Sequence, residues 1–190
     1  MKPHKITESY TFIKGDQIDL IPINLDHVDL YVRWENDPKV RKLSRNILPR
    51  TKEEYKKHLE SLQKDLPNEI SFEIFLKTEN IPIGICELSE IDWINQTSYV
   101  GILIGETAYW GQNFCTEAIK LLCKYAFEEL NLRKLKYVAF SPNKASLRCA
   151  EKAGFSHEAT LKKEMYIDGQ YYSSIFYTLY NDDWLNNNKE

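Results

Sequence analysis

The sequence predicts a mixed α/β fold in one domain, and three observations carry that prediction. The apolar period switches along the chain between two, as in strands, and about 3.6, as in helices. Between Ile102 and Ala118 a strand-like run feeds a tight loop, which feeds an amphipathic helix. The dipeptide Asp168-Gly169 separates two further strand-like runs, a strong hairpin signal.

Each element has its own justification. Gln17 to Ile23 alternates apolar and polar residues as a half-buried strand does. Asp26 reads as the cap of a helix with Val28, Tyr31, Val32 and Trp34 at helical spacing, ended by Asp37-Pro38. Thr51 with Glu54 forms a capping box that opens a second helix, through about Leu62. Ser71 to Lys77 reads as a strand, and Pro82 to Trp93 and Thr97 to Gly105 as two more, joined at Asn95-Gln96. After Gly111 the period lengthens, placing Ala118, Leu121, Leu122, Tyr125, Ala126 and Leu130 on one helical face. Leu135 to Phe140 is a short buried strand, broken by Ser141-Pro142-Asn143. A fourth helix, Lys144 to Lys152, closes at Ala153-Gly154. The hairpin finishes the order β-α-α-β-β-β-α-β-α-β-β, and the polar tail from Asn186 reads as frayed.

Composition narrows the function classes. A chain of 190 residues, 43% hydrophobic and 28% charged, suits one well-buried domain over 1–190, with a core of about 17–184 between two tails. No uncharged apolar run approaches the roughly 18 residues of a membrane span. A net charge of −3 with no basic block argues against nucleic acid as a partner. Met1 to Thr7 lacks the apolar stretch of a signal peptide, so a cytoplasmic location is expected. Cys86, Cys115, Cys123 and Cys149 contain no C-x-x-C pair, which argues against a disulfide framework and a zinc site. The four histidines are scattered, and no metal is expected. The aromatics Tyr171, Tyr172, Phe176, Tyr177 and Tyr180 suggest more apolar surface than one sheet face buries, and hence a homodimer.

The loop from Gly105 to Thr116 is the most informative stretch. Gly111, Asn113 and Cys115 are small or turn-tolerant, so the backbone can approach a ligand closely. The first amides of the following helix, with the positive end of its dipole, suit a phosphate group. The plainer alternative is a strand-to-helix connection capped by Thr116.

This loop, together with Asn143-Lys144-Ala145-Ser146 and Glu151-Lys152-Ala153-Gly154-Phe155, resembles the GNAT superfamily of acetyl-CoA-dependent N-acetyltransferases. The nearest resemblance is to the Rim-type branch, named for enzymes that acetylate ribosomal-protein N-termini. It runs from Gln17 to Trp184 and includes Trp34 to Arg41 and Asp168 to Tyr171. It implies a central, mostly antiparallel twisted sheet of about seven strands flanked by four helices. The family pattern Q/R-x-x-G-x-G/A reads here Trp110-Gly111-Gln112-Asn113-Phe114-Cys115, with Asn and Cys at the second and third signature places. Asparagine tolerates left-handed geometry better than other non-glycine residues, so binding is expected to survive, weakened.

The resemblance further implies an acyltransferase with acetyl-CoA as co-substrate, whose acetyl group passes directly from thioester to amine. Backbone of Ile102, Leu103 and Ile104 would pair with the pantetheine arm and supply an oxyanion donor. Gly111, Gln112, Asn113, Phe114, Cys115 and Thr116 would hold the pyrophosphate. Asn143 would bond the arm, and Ser146 would face the sulfur as proton donor, although both also suit a helix start. The tyrosine acid of many relatives is replaced by Ala150, and Tyr99 stands where relatives often carry Glu. Glu87 and Glu164 are therefore the candidate bases, each against the alternative of a solvated strand residue. Cys115 as a nucleophile lacks a nearby histidine and reads better as a small residue in a crowded loop. Lys120, Lys144 and Arg148 are either surface charge or partners of the 3′-phosphate. The implied acceptor is a primary amine on a protein N-terminus or a small molecule. Glu87, Glu90 and Asp92 leave a polyamine open, and the altered loop leaves open a silent acyl-CoA-binding module.

Overall fold

The computed structural model describes residues 10–62 and 66–187. Its elements are strands β1 (Ile13–Lys14) and β2 (Ile18–Pro22), then helices α1 (Val28–Asn36), α2 (Pro38–Ser44) and α3 (Lys52–Ser61). Strands β3 (Ile70–Leu76), β4 (Ile81–Asp92) and β5 (Thr97–Ile104) lead to α4 (Phe114–Glu128). The chain continues through β6 (Lys134–Phe140), α5 (Lys144–Lys152), β7 (Ser156–Ile167), β8 (Gln170–Tyr180) and α6 (Asn181–Asn187). The strands form one sheet in the order β1-β2-β3-β4-β5-β6-β8-β7. Every neighbouring pair is antiparallel except β5 with β6.

The predicted mixed α/β architecture is present, with eight strands and six helices among the described residues instead of seven and four. The additions have local causes. Asp37-Pro38 stops α1 as expected, but the same dipeptide starts α2: the Asp37 carboxylate accepts from the amides of Lys39 and Val40, and proline suits the first helical position. The cap preceding α1 is Asn24 rather than Asp26; its Oδ1 accepts from the Asp26 amide at 2.9 Å and opens a short 3-10 turn. The predicted capping box is complete, because Thr51 and Glu54 bond each other's backbone at the head of α3. Asn186 belongs to α6 rather than to a frayed tail. Residues 188–190 and the segment Met1 to Thr7, on which the expected location rests, lie outside the described residues.

Two apolar clusters sandwich the sheet. The larger packs α4 and α5 against Leu20, Ile74, Cys86, Leu88 and Leu135, with Ala118, Ile119 and Leu122 of α4 completely buried. Each fully buried Leu or Ile stabilises by about 1.5–3 kcal/mol relative to exposure. The smaller cluster joins Val28, Tyr31 and Trp34 of α1 to Tyr55 and Leu59 of α3 over Ile85. Helices α1 to α3 thus wall one side of the central strands.

Candidate active site

The parallel pair β5–β6 supplies the opening that a site needs. It is paired only through Thr97–Lys134, Ser98–Leu135 and Tyr99–Lys136; beyond these the two strands separate. Between them lies a cleft of about 840 Å³, bordered by Gly101 to Ile104 on one strand and Tyr137 to Phe140 on the other. A strand's amides point alternately to its two neighbours, so this separation frees some of the β5 amides and carbonyls for a ligand.

At one end of the cleft α4 begins without a side-chain cap. Gly111 (φ 79°) and Asn113 (φ 66°) both take the left-handed conformation, as the sequence suggested for Asn113. Asn113 makes no capping bond; its Oδ1 instead accepts from Lys152 Nζ on α5 at 3.1 Å. The first intrahelical bond runs from the Glu117 amide to the Asn113 carbonyl, so the amides of Phe114, Cys115 and Thr116 have no partner within the helix, and all three residues border the cleft. Thr116 is therefore a first-turn residue and not the cap. A row of uncapped amides with the dipole behind it fits a pyrophosphate, and the separated strands beside it fit an amide-bearing arm.

Among the other predicted residues, Gly111, Gln112, Ile102, Leu103, Asn143, Ser146 and Glu87 border the same cleft. Asn143 caps α5, accepting from the Ser146 amide at 3.2 Å, while its Nδ2 donates to the Leu43 carbonyl of α2. Both ends of its amide are thus engaged within the protein. Ser146 Oγ stands 2.8 Å from the hydroxyl of Tyr137, a buried β6 residue that sequence reasoning passed over. A polar-tipped aromatic at an inward position of an alternating strand was the available signal.

Glu164 does not border the cleft. It falls in the irregular stretch between Leu161 and Met165, with Lys163 at φ 56°; Met165 borders the cleft and Glu164 is exposed. Glu87 is placed very differently. It lies opposite Gly101 on β5, and a Cβ at Gly101 would come within 2.7 Å of Glu87 Cγ. Glycine there gives the carboxylate its room. Burial, then the nearby carboxylates of Glu69 and Glu35, push the Glu87 carboxyl up to about 7. Burial also raises Glu35, though Arg50 Nε at 3.1 Å opposes the shift.

The cysteine expectation needs correction. Cys115 and Cys149 are joined by a disulfide, their Cα atoms 6.5 Å apart. The fold brings the loop against α5 over a separation of 34 residues, a juxtaposition that spacing does not encode. Among the described residues no group of His, Cys, Asp and Glu could hold a metal, and no helix is long and apolar enough to cross a membrane.

Comparison with known proteins agrees with this geometry. The model of the acetyltransferase (GNAT) domain matches residues 17–156. YjcK of Bacillus subtilis, named as a probable N-acetyltransferase, is 35% identical over 111 residues, covering 58% of this chain and 60% of the relative. Spermidine N(1)-acetyltransferase of Escherichia coli is 33% identical over 106 residues, covering 56% of each. These alignments therefore span little more than half of either relative. Spermidine N-acetyltransferase of Vibrio cholerae, solved in complex with CoA and spermine, superposes with a TM-score of 0.82 at 22% identity, covering 90% of this chain and 99% of that one. With a family model over most of its length and a matching fold, the chain belongs to the GNAT family of acetyltransferases.

Proposed function

We propose that the protein transfers an acetyl group from acetyl-CoA to a primary amine, with Glu87 as the base that takes the amine's proton. The observation that carries this reading is Glu87 itself, a cleft carboxylate whose pKa of about 7 matches neutral operation. Acetyl-CoA supplies the activated acyl group. The Phe114, Cys115 and Thr116 amides hold its phosphates, and the free edge of β5 at Ile102 to Ile104 orients the arm. Glu87 then accepts a proton from the ammonium, directly or through one water, because only a neutral amine attacks. Ser146, backed by Tyr137, donates a hydrogen bond to the departing thiolate. The cytoplasm is the proposed setting. Self-association is proposed through the β7–β8 hairpin, where Tyr166 and Tyr171 are exposed and their rings meet at a tilt with centroids 5.1 Å apart.

The same carboxylates favour a cationic acceptor with more than one amine. Glu35 and Glu69 both lie close enough to Glu87 to raise its pKa, so this wall of the cleft attracts positive charge. Polyamines fit that requirement, and the relationship to spermidine acetyltransferases is consistent with it. A protein N-terminus, the Rim-type acceptor, presents one charge and gains less from the cluster. Thiol release from acetyl-CoA, measured across spermidine, spermine, simple monoamines and short peptides, tests both statements. Turnover with none of them, alongside intact acetyl-CoA binding, would replace the enzyme with a binding module.

A further inference from the structure

The cleft contains a cysteine pair that acetyl transfer does not use. Cys115 lies in the first turn of α4, where its amide belongs to the proposed phosphate cradle; Cys149 lies on α5, three residues beyond Ser146. We propose that Cys115 and Cys149 form a thiol–disulfide modification site that sets the cleft's affinity for acetyl-CoA, with a low-molecular-weight disulfide or thiol as its co-substrate. The inference rests on the acetyl-CoA reading above.

The bridge sits where the loop needs support. Asn113 holds a left-handed conformation that opposes the preference of a non-glycine residue. Phe114 packs in the same apolar cluster as Cys149 and Ala150, but the polar ties of the loop to α5 among the described residues are the exposed Lys152–Asn113 hydrogen bond and Thr116 Oγ1, 3.5 Å from Cys149 Sγ. Exposed and long contacts of this kind hold a geometry weakly. Oxidation pins the first turn of α4 to α5 and keeps the amides of residues 114 to 116 in place. Reduction leaves the loop free to leave that arrangement, and apparent affinity falls with the fraction that remains competent.

Access and chemistry agree with a reversible step. Cys115 is partly exposed and borders the cleft, whereas Cys149 is buried beneath it. A helix N-terminus favours the thiolate over the thiol. The Cys115 thiolate attacks one sulfur of a low-molecular-weight disulfide and expels the first thiol. The Cys149 thiolate then attacks Cys115 Sγ of the mixed disulfide and expels the second. Two protein thiols are oxidised, one disulfide is reduced to two thiols, and no other reactant is needed. Reduction runs the same steps backward. In a thiol-reducing compartment a cysteine pair of this kind is usually transient and redox-sensing rather than a fixed staple. Cys86 and Cys123 are completely buried, and burial pushes both thiols up, so they do not compete for the reagent.

The test uses the full chain and glutathione as the probe. Protein equilibrated across graded ratios of oxidised to reduced glutathione is quenched in acid, alkylated and mapped by mass spectrometry. Calorimetric titration gives the acetyl-CoA dissociation constant at both extremes, with melting temperatures recorded without ligand. The expected result is a Cys115–Cys149 linked peptide that forms and disappears with the ratio. The dissociation constant should rise about three- to tenfold on reduction. Cys149→Ser should abolish the linked peptide in every buffer and, in the fully reducing one, keep the reduced wild-type dissociation constant. A purely structural cross-link would lower the melting temperature on reduction and leave the dissociation constant unchanged, which overturns the proposal. So does absence of the linked peptide in the most oxidising buffer. Failure of acetyl-CoA to bind in either state removes the acetyl-CoA reading first, and this inference with it.

Discussion

The Tyr137 hydroxyl lies 2.8 Å from Ser146 Oγ, so the serine proposed to face the leaving sulfur is held by a buried phenol of the neighbouring strand. Burial pushes the Tyr137 phenol above its usual range, and the Ser146 hydrogen bond only partly reverses that shift. Tyr137 therefore stays protonated at neutral pH and can donate to Ser146 while Ser146 donates onward. Ala150, where many relatives place the acid, is completely buried and offers no such group.

A prediction follows for this pair. Ser146→Ala should lower kcat by about 10²-fold, the low end for general acid catalysis because a coenzyme thiol is already a fair leaving group. The KM for acetyl-CoA should change little. Tyr137→Phe should cost less, since Ser146 retains its own hydroxyl, and the two losses should not add. Single-turnover rates on both single variants and the double variant measure this. A Ser146→Ala rate within threefold of wild type, with stability lowered by about 1 kcal/mol through the lost Tyr137 hydrogen bond, would make Ser146 a structural residue of the α5 start and nothing more.

Glu87 gives opposite effects on rate and stability. Below its pKa of about 7 the carboxyl is protonated and cannot accept the amine's proton, so kcat/KM should rise with pH through that value. Glu87→Gln should lose about 10²- to 10⁴-fold and flatten that limb of the profile. The stability effect has the reverse sign. A carboxyl whose folded pKa is raised contributes stability at low pH and loses it as pH climbs from its ordinary value of 4.5 to about 7. Glu87→Gln should therefore melt higher than wild type at pH 8 and show less gain at pH 5. A variant that loses activity and melts lower at both pH values would assign Glu87 a structural role instead.

Gly105 tests the wall that α1 makes. A Cβ there would overlap the Trp34 indole, which is 1% exposed and donates from Nε1 to Glu106 at 2.9 Å. Gly105→Ala should destabilise by about 1–3 kcal/mol through overpacking, measured by urea unfolding. Gly111→Ala should act differently, because its Cβ would meet nothing within 4 Å and only the left-handed backbone resists it. The contrast separates crowding from conformational strain.

Much of this arrangement was legible in the sequence because it is local. The capping box at Thr51, the α5 boundaries and the Asp168-Gly169 turn each depend on a few adjacent residues, and all appear where the pattern put them. Glu87 was legible as a candidate, but the source of its raised pKa was not. Glu35 lies on α1 and Glu69 just before β3, and only the fold places them near β4. Cys115 with Cys149, and Tyr137 with Ser146, are contacts between elements that no spacing rule connects. Glu164 failed for the opposite reason. Its strand was recognised, but Leu161 and Met165 pair with Ser174 and Tyr172, so Glu164 falls in the unpaired stretch bulged out between them.

The last prediction concerns His27, whose Nδ1 lies 2.7 Å from Oε1 of the completely buried Glu73. Tyr31 donates to the same oxygen, and through Tyr31 this network reaches the α1 wall of the cleft. The Glu73 hydrogen bond raises the His27 pKa above 6.5; burial opposes it, and the charges of Glu73 and Asp26 reinforce it. A histidine raised by folding contributes stability that is fully present below about 6.5 and is lost as pH rises through the folded value. Wild-type melting temperature should therefore decline between pH 6 and pH 8.5 by more than in His27→Gln, which cannot titrate. Removing one partner of a buried pair costs about 3–5 kcal/mol, and the remaining Tyr31 bond places His27→Ala near the lower end. Because Tyr31 borders the cleft, the same alkaline loss should raise the KM of the amine before it affects that of acetyl-CoA. Parallel pH–melting curves for wild type and His27→Gln would show that the pair carries no pH-dependent stability.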